Sequence, residues 1–404
     1  GDLVRAEPLP GRKLGLRQAR IVEHIKVDQK KQIPSLIAIV DHDLPTRFSD
    51  AALMQAAEAT AAPIKGRVDL RNIPLVTIDG TDARDFDDAV WAEIDPNKEN
   101  VGGWHLLVAI ADVAWYVRPG DALDTNAYER GNSVYFPDRV VPMLPEALSN
   151  GWCSLVPQED RPCMAAHLWI DVEGNLLNFQ FIRGVMRSHA RLNYQQVQQA
   201  YEGNVDEIIK PIINTVIKPL YGAYEALLKN RDKRGVLELD MPERKVQLDN
   251  DSNVKVISTS ERLDSHKLIE EFMITANVAA AKTLKKAGIS CLYRVHDEPS
   301  QEKLNSLREV LSSVNISFEK GGIASPKRFN HVLKLAKKTS HSEMINVMVL
   351  RSQAKAEYAP DNLGHFGLAL NLYSHFTSPI RRYADLLVHR ALIQAEGLGD
   401  KKLK

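Results

Sequence analysis

Five aspartates, Asp79, Asp82, Asp85, Asp87 and Asp88, stand within the twelve residues from Thr77 to Asp88, after the apolar Ile73-Pro74-Leu75-Val76 and ahead of a second strand-like run. Carboxylates a few ångströms apart cannot all stay ionised without compensating charge, and hard oxygen donors favour Mg²⁺ or Mn²⁺ over soft-ligand metals. A solvated acidic loop is the alternative. The flanks weigh against it: Asp85 and Asp87 are two apart, project to one face of an extended chain, and are separated by Phe86 rather than Ser or Gly. A calcium loop of the EF-hand type is excluded, because Thr81, Ala83 and Val90 stand where that loop needs ligands.

A second group is Ser378-Pro379-Ile380-Arg381-Arg382-Tyr383. Its pattern predicts a helix start, with Ser at the N-cap and Pro in the first turn, where the missing amide is harmless. Free amides and the positive end of the dipole would make an anion site, and two guanidinium forks in the same turn suit phosphate. Alternatively Asp385, three or four residues on, pairs with one of the arginines at the surface, which still leaves the other free.

The elements that must position these groups are legible in outline. A chain of 404 residues holds roughly two or three domains at about 150 residues each. No apolar run approaches the ~18 residues of a membrane span, and Gly-Asp-Leu-Val-Arg is no basic start of a signal peptide. Cys153, Cys163 and Cys291, an odd number at unrelated spacings, point to a reducing compartment, with the cytoplasm as the expectation, and to neither a disulfide framework nor a zinc site. Net charge is zero, which argues against coating duplex DNA by charge alone. Local basic rims remain available in Lys285-Lys286, Lys327-Arg328, Lys337-Lys338 and Arg381-Arg382, the first three of which also fit solvated helix faces.

Residues 1–32 hold short β-like stretches around a Pro-Leu-Pro-Gly turn at 8–11, too little for a domain. Ser49 or Asp50 would cap a helix over Ala51–Ala61, with Pro63 after its end. Segment 104–117 has the apolar, β-branched character of a buried strand, and the Asp112 that interrupts it is expected to be hydrogen-bonded into the fold. Ser265 would cap a helix ending near Gly288, with Ile269, Phe272, Met273, Ala276 and Ala280 on one face. Ser300 and Ser325-Pro326 would start two more, while Pro211 and Pro219 break the pattern between 205 and 228.

The string TIDGTDARDFDDAV resembles the acidic signature of the RNase II / RNase R family of exoribonucleases, which includes the exosome nuclease of eukaryotes. The likeness continues, in the family's order, through VAIADVAWYV (108–117), YFPDRVVPMLP (135–145), WCSL (152–155), LIEEFMITAN (268–277), YRVHDEP (293–299) and HFGLALNLYSHFTSPIRRYADLLVHR (365–390). It implies an α+β fold with a mixed β-sheet core and surrounding helices: residues 1–35 part of an OB or cold-shock-like barrel, 36–66 a connector, 67–404 an RNB-type catalytic domain. The family continues with a helix bearing a glutamate near the active site and an S1 RNA-binding barrel, so the usual C-terminal end is expected to be missing here.

The activity so implied is hydrolysis of single-stranded RNA from the 3′ end to 5′-mononucleotides by a monomer, with no membrane attachment. Two divalent ions, Mg²⁺ or Mn²⁺, about 3.5–4 Å apart would activate water and relieve charge on the phosphoryl and leaving oxygens. Asp79, Asp85, Asp87 and Asp88 match the metal cage, with Asp87 the residue chemistry would least spare; Asp82 does not align. Arg381 would stabilise charge on the scissile phosphate and Arg382 would contact the RNA end. Tyr135 falls at the aromatic that stacks on the 3′-terminal base, and Tyr194 and Glu270 at contacts to the last nucleotides, although by spacing alone Tyr194 shares a core stripe with Val197 and Tyr201. Arg294 and His296 are further candidates for facing RNA. Where some members carry a second clamping aromatic, this chain has Val236-Leu237-Glu238-Leu239, so that wall is expected to be aliphatic. Two other functions compete: a catalytically weak RNA-binding protein of the same fold, and a metal-dependent phosphatase for small molecules, which the aromatic contacts disfavour.

Overall fold

In the computed structural model, which describes residues 3–13, 16–25, 33–241, 243–249, 253–318 and 324–399, the chain opens on an antiparallel hairpin of β1 (Leu3–Lys13) and β2 (Leu16–Ile25). This small sheet fits part of an OB barrel. Pro8-Leu9-Pro10-Gly11, expected to turn the chain, lies inside β1. The pairing slips between Pro8 and Arg12 and Gly11 takes φ +97°, so the prolines sit in a bulge where no ladder amide is demanded of them. Helices α1 (Ile33–Asp41) and α2 (Asp50–Ala57) follow, and Ser49 caps α2 by accepting from the Ala52 amide at 3.3 Å. α2 stops short of Ala61, since β-branched Thr60 and Pro63 both disfavour its continuation.

The sheet that carries the acidic segment contains β3 (Val68–Asp69), β4 (Val76–Asp79), β5 (Asp88–Ile94) and β6 (Trp104–Ala111). The predicted strand over 104–117 ends at Ala111, because the Asp112 amide bonds to the Pro162 carbonyl at 3.1 Å and turns the chain into α3 (Val113–Tyr116). The Asp112 carboxylate is buried between Arg67 and Arg183, each at 2.8 Å, the structural place expected for it. Next come α4 (Ala122–Arg130) and a ribbon of β7 (Val134–Tyr135) and β8 (Val140–Val141). The sheet is completed by β9 (Asp160–Ile170), β10 (Leu176–Arg187) and β11 (Ala190–Asn193), in the order β11-β4-β5-β6-β9-β10-β3. The four central pairings are antiparallel and the two edge pairings parallel, so the sheet is mixed.

α5 (Tyr194–Tyr201) leaves β11 directly. The 205–228 region breaks as its prolines require, and α6 (Lys218–Arg234) begins with Pro219 in its first turn. After the ribbon β12 (Glu243–Leu248) and β13 (Val254–Ser260) comes α7 (Asp264–Ala287), ended by left-handed Gly288 at φ +66°. Leu263, not Ser265, stands at its cap: the Ser265 hydroxyl is buried and donates to the Tyr194 carbonyl at 2.8 Å. Phe272, Ala276 and Ala280 of α7 are buried in the main core, as their spacing requires. β14 (Tyr293–Val295) precedes α8 (Gln301–Ser313), α9 (Pro326–Ala336) and α10 (Ser342–Ser352), which share a small core of their own around Leu307, Phe329 and Val349. β15 (Glu357–Ala359) pairs back onto β14, and α11 (Tyr383–Ala395) closes the unit. Among the described residues no helix is long and apolar enough to cross a membrane, and the three cysteines are free and buried.

Candidate active site: an acidic strand edge facing an arginine loop

β4 ends at Asp79 and the neighbouring β5 begins at Asp88, so antiparallel pairing brings both carboxylates to the same end of these two strands. The loop between them is pinned through Phe86. Its ring is buried, its amide donates to Ser154 Oγ at 3.0 Å, and its carbonyl accepts from the Leu155 amide at 3.0 Å. With Phe86 fixed inward, Asp85 reaches the Tyr135 hydroxyl and buried Asp87 reaches the Ile380 amide. Asp82 stays outside, exposed beside Lys245 and Thr81.

The arginine loop meets this edge at Asp87. The Ile380 amide donates to Asp87 Oδ1 at 2.9 Å, and Arg381 Nε stands 3.5 Å from Oδ2. Ser378 to Arg381 is not a helix start. The four residues form a turn in which the Ser378 carbonyl accepts from the Arg381 and Arg382 amides, and α11 begins only at Tyr383. The expected open anion site is absent for a physical reason: the Ile380 amide is taken by Asp87 and the Ser378 amide by buried Asp385 at 2.8 Å. Asp385 also holds Arg382 at 2.7 Å, so the alternative pairing exists, but it is buried and engages Arg382 alone. Arg381 remains 45% exposed, with one arm donating to Ser378 Oγ at 2.9 Å.

Electrostatics show what this edge lacks. Burial pushes the Asp79 carboxyl well up, with Asp88 and Asp85 adding to the shift. Asp88 is pushed up by burial against the opposing pull of Arg381 and Arg382, and Asp87 by burial against Arg381 and the Ile380 amide. Buried Asp79 Oδ2 and Asp87 Oδ2 have no hydrogen-bond donor. Orphaned, mutually repelling carboxylate oxygens fit a hard divalent cation, which satisfies lone pairs and repulsion together. Among the described residues no three carboxylate, imidazole or thiolate groups are drawn close enough to grip an ion. Asp85 accepts from the Tyr135 hydroxyl at 2.7 Å through Oδ2, which leaves Oδ1 open to a cation.

The aromatic candidates come to the same edge by two routes. Tyr135 follows Ser133, whose amide donates to the Arg381 carbonyl at 2.9 Å, and its ring is 52% exposed. Tyr194 follows Asn193, which pairs with Asp79 in the β11–β4 register. The core stripe suggested by spacing holds for Val197 and in part for Tyr194, while Tyr201 is exposed: Tyr194 packs half-buried against the core, is stacked on His266 with centroids 4.0 Å apart, and its phenol is pushed up by burial and by Asp88 and Asp79. Glu270 stands one turn beyond His266 on α7. It is tied by Arg231 at 3.3 Å and by Arg262, in a cleft of about 620 Å³ whose wall includes Val236, Leu237 and Leu239, aliphatic as expected. The ring nitrogens of His296 are engaged by the Ala354 carbonyl and the Gly367 amide, and the residue lines the same cleft. Sequence reasoning missed His266, although its four-residue spacing from Glu270 puts both on one face of α7. It also missed the Ile380 amide, which no side-chain pattern reveals.

Carboxylates opposed by arginines at the end of a mixed sheet offer oxygen donors suited to a hard cation beside guanidinium donors suited to phosphate. The chain belongs to the RNB domain family, whose model matches residues 67–396. It is similar to Ribonuclease R of Escherichia coli K12, 45% identical over 362 residues that cover 88% of this chain and 44% of the relative. Ribonuclease R of Aquifex aeolicus is 37% identical over 385 residues, covering 94% and 54%. The chain thus spans about half the length of such relatives. The structure of Mycoplasma genitalium RNase R with ribose-methylated single-stranded RNA aligns with a TM-score of 0.87 at 29% identity, covering 96% of this chain and 61% of that one. Yeast Ssd1, described as a pseudonuclease, shares the fold with a TM-score of 0.73 at 18% identity, covering 96% and 49%.

Proposed function

We propose that this chain carries the catalytic unit of a metal-dependent 3′-to-5′ exoribonuclease that degrades single-stranded RNA to 5′-mononucleotides, acting as a cytoplasmic monomer. The observation that carries the proposal is the meeting of the two groups at Asp87, where the acidic edge and the arginine loop share one carboxylate. RNA enters as the ligand because the similar Mycoplasma genitalium structures hold single- and double-stranded RNA. Residues 1–35 would then be part of an RNA-binding barrel and 36–66 its connector to the catalytic unit.

Asp79, Asp85, Asp87 and Asp88 would hold Mg²⁺ or Mn²⁺, which when bound supplies an activated water and charge relief on the phosphate. The chain's own residues do the rest. Arg381, exposed and anchored on Ser378 Oγ, offers its free donors to charge growing on the phosphoryl oxygens. Arg382, locked by Asp385, is a fixed positive wall toward the RNA end. Tyr135 presents its ring for stacking on the terminal base, and Tyr194 and Glu270 border the last nucleotides.

A catalytically weak RNA-binding protein is the second reading, since a fold does not by itself fix the chemistry done on it. Asp87→Asn separates them. On the nuclease reading it abolishes Mg²⁺-dependent release of mononucleotides and leaves RNA affinity equal or improved, since one negative charge is removed near phosphate. A native protein that binds RNA and releases nothing with either metal would establish the second reading.

A further inference from the structure

Arg294 has a place in the fold that the proposed chemistry does not use. In the β14–β15 pair it lies directly opposite Tyr358, and its guanidinium carbon sits 4.7 Å from the centre of that ring. The Tyr358 hydroxyl is 2.7 Å from His375 Nδ1. On the other edge of β14, the Arg294 amide donates to the Tyr373 carbonyl at 3.0 Å, so the segment that runs on to Arg381 and Arg382 is laced to the same strand. Burial, then Arg382 and Arg294, pull the His375 imidazole well below its ordinary range, toward the neutral form.

Three arginines therefore converge on one side of the site, and their compensation differs. Arg381 has Asp87 and Arg382 has Asp385. Among the described residues no carboxylate lies within ion-pair distance of Arg294, which is partly buried with its guanidinium laid over an aromatic platform. A partly desolvated cation, pre-oriented and beside two others, is short of an anion. A guanidinium fork in such a setting matches phosphate oxygens.

We propose that Arg294, steadied by Tyr358 and flanked by His375, binds a phosphodiester of the RNA strand other than the one hydrolysed. This site rests on the chain binding RNA, as proposed above, and it would set how far the strand must extend from the cage to be held.

The test uses oligoribonucleotides in which one linkage at a time is a neutral methylphosphonate, with affinity measured in EDTA so that the strand is not consumed. For the native protein, one position other than the terminal linkage should lose about tenfold or more in affinity, and in Arg294→Met the same position should cost less than about twofold. The slope of log Kd against log salt should fall by about 0.7 in Arg294→Met and stay unchanged in Arg294→Lys. Should Arg294→Met fail to fold, Tyr358→Leu removes the platform and should erase the same positional dependence. Native-like positional dependence and salt slope in folded Arg294→Met would overturn the site while leaving the proposed function standing. A native protein that neither binds nor shortens RNA would sink the function and this site with it.

Discussion

Replacing Arg381 by Lys separates transition-state stabilisation from plain charge. One arm of the guanidinium is anchored on Ser378 Oγ at 2.9 Å while Nε faces Asp87 at 3.5 Å, so the fork is oriented before substrate arrives. Lys keeps the charge. It cannot both reach Ser378 and present a planar donor to the phosphate. The side chain is 45% exposed, so the general attraction for RNA is solvent-screened and contributes only about 0–1 kcal/mol, which caps the loss of affinity at roughly fivefold. A pre-aimed donor to developing charge contributes about 2.7–4 kcal/mol, a rate loss of about 10²–10³-fold. The rate effect should therefore exceed the binding effect by more than about tenfold. Rapid-quench single turnovers at saturating RNA give the rate, and anisotropy in EDTA gives the affinity. A single-turnover rate at the native level, or equal losses in rate and affinity, would refute the role. Arg382→Lys should slow turnover less, because its partner is Asp385 and not the reacting phosphate.

Tyr135→Ala should lengthen the final undegraded oligonucleotide, since a stacked base is worth about 1–3 kcal/mol, whereas Tyr135→Phe should keep the native end product because only the bond to Asp85 is lost. Identical end products in all three proteins would remove Tyr135 from the clamp. Asp112→Asn should destabilise the fold by about 3–5 kcal/mol in urea titrations, because Arg67 and Arg183 are left buried beside a neutral amide; a loss below about 1 kcal/mol would contradict this. Burial opposes the Asp112 charge but Arg183 and Arg67 prevail, holding its carboxyl below the usual range, so its contribution is present above about pH 4 and disappears as pH falls through the depressed value. Asp79 has the opposite sign. Its raised carboxyl favours the folded state below about pH 4 and that contribution is lost as pH rises through the folded value, so in EDTA the melting temperature should fall from pH 5 to pH 8. Mg²⁺ or Asp79→Asn should flatten that fall, and an equally steep fall in all three conditions would refute the cage's electrostatics.

What was legible in the sequence was the chemistry carried by side-chain type and short-range period. Phe86 is driven inward, which its apolar character inside an acidic run already announces. α7 was legible from its stripe and its terminal glycine, yet its start was displaced because Ser265 found a tertiary partner in the Tyr194 carbonyl, which overrides local capping preference. The helix predicted at Ser378 failed similarly: Asp87 and Asp385 took the amides that a helix start leaves free, and Asp87 lies almost three hundred residues earlier in the chain. Tyr194 was ambiguous for a related reason. Its helical stripe reaches full burial only at Val197, and the β11–β4 register puts the first residue of the helix beside Asp79.

The most direct measurement follows the fate of the two ends of a single RNA strand. With Mg²⁺ or Mn²⁺ present, a 3′-terminal label should leave at once as a 5′-mononucleotide, a 5′ label should shorten stepwise to a limiting oligonucleotide, and a DNA strand of the same sequence should persist. Internal fragments at early times, or loss of the 5′ label first, would contradict the exoribonuclease account.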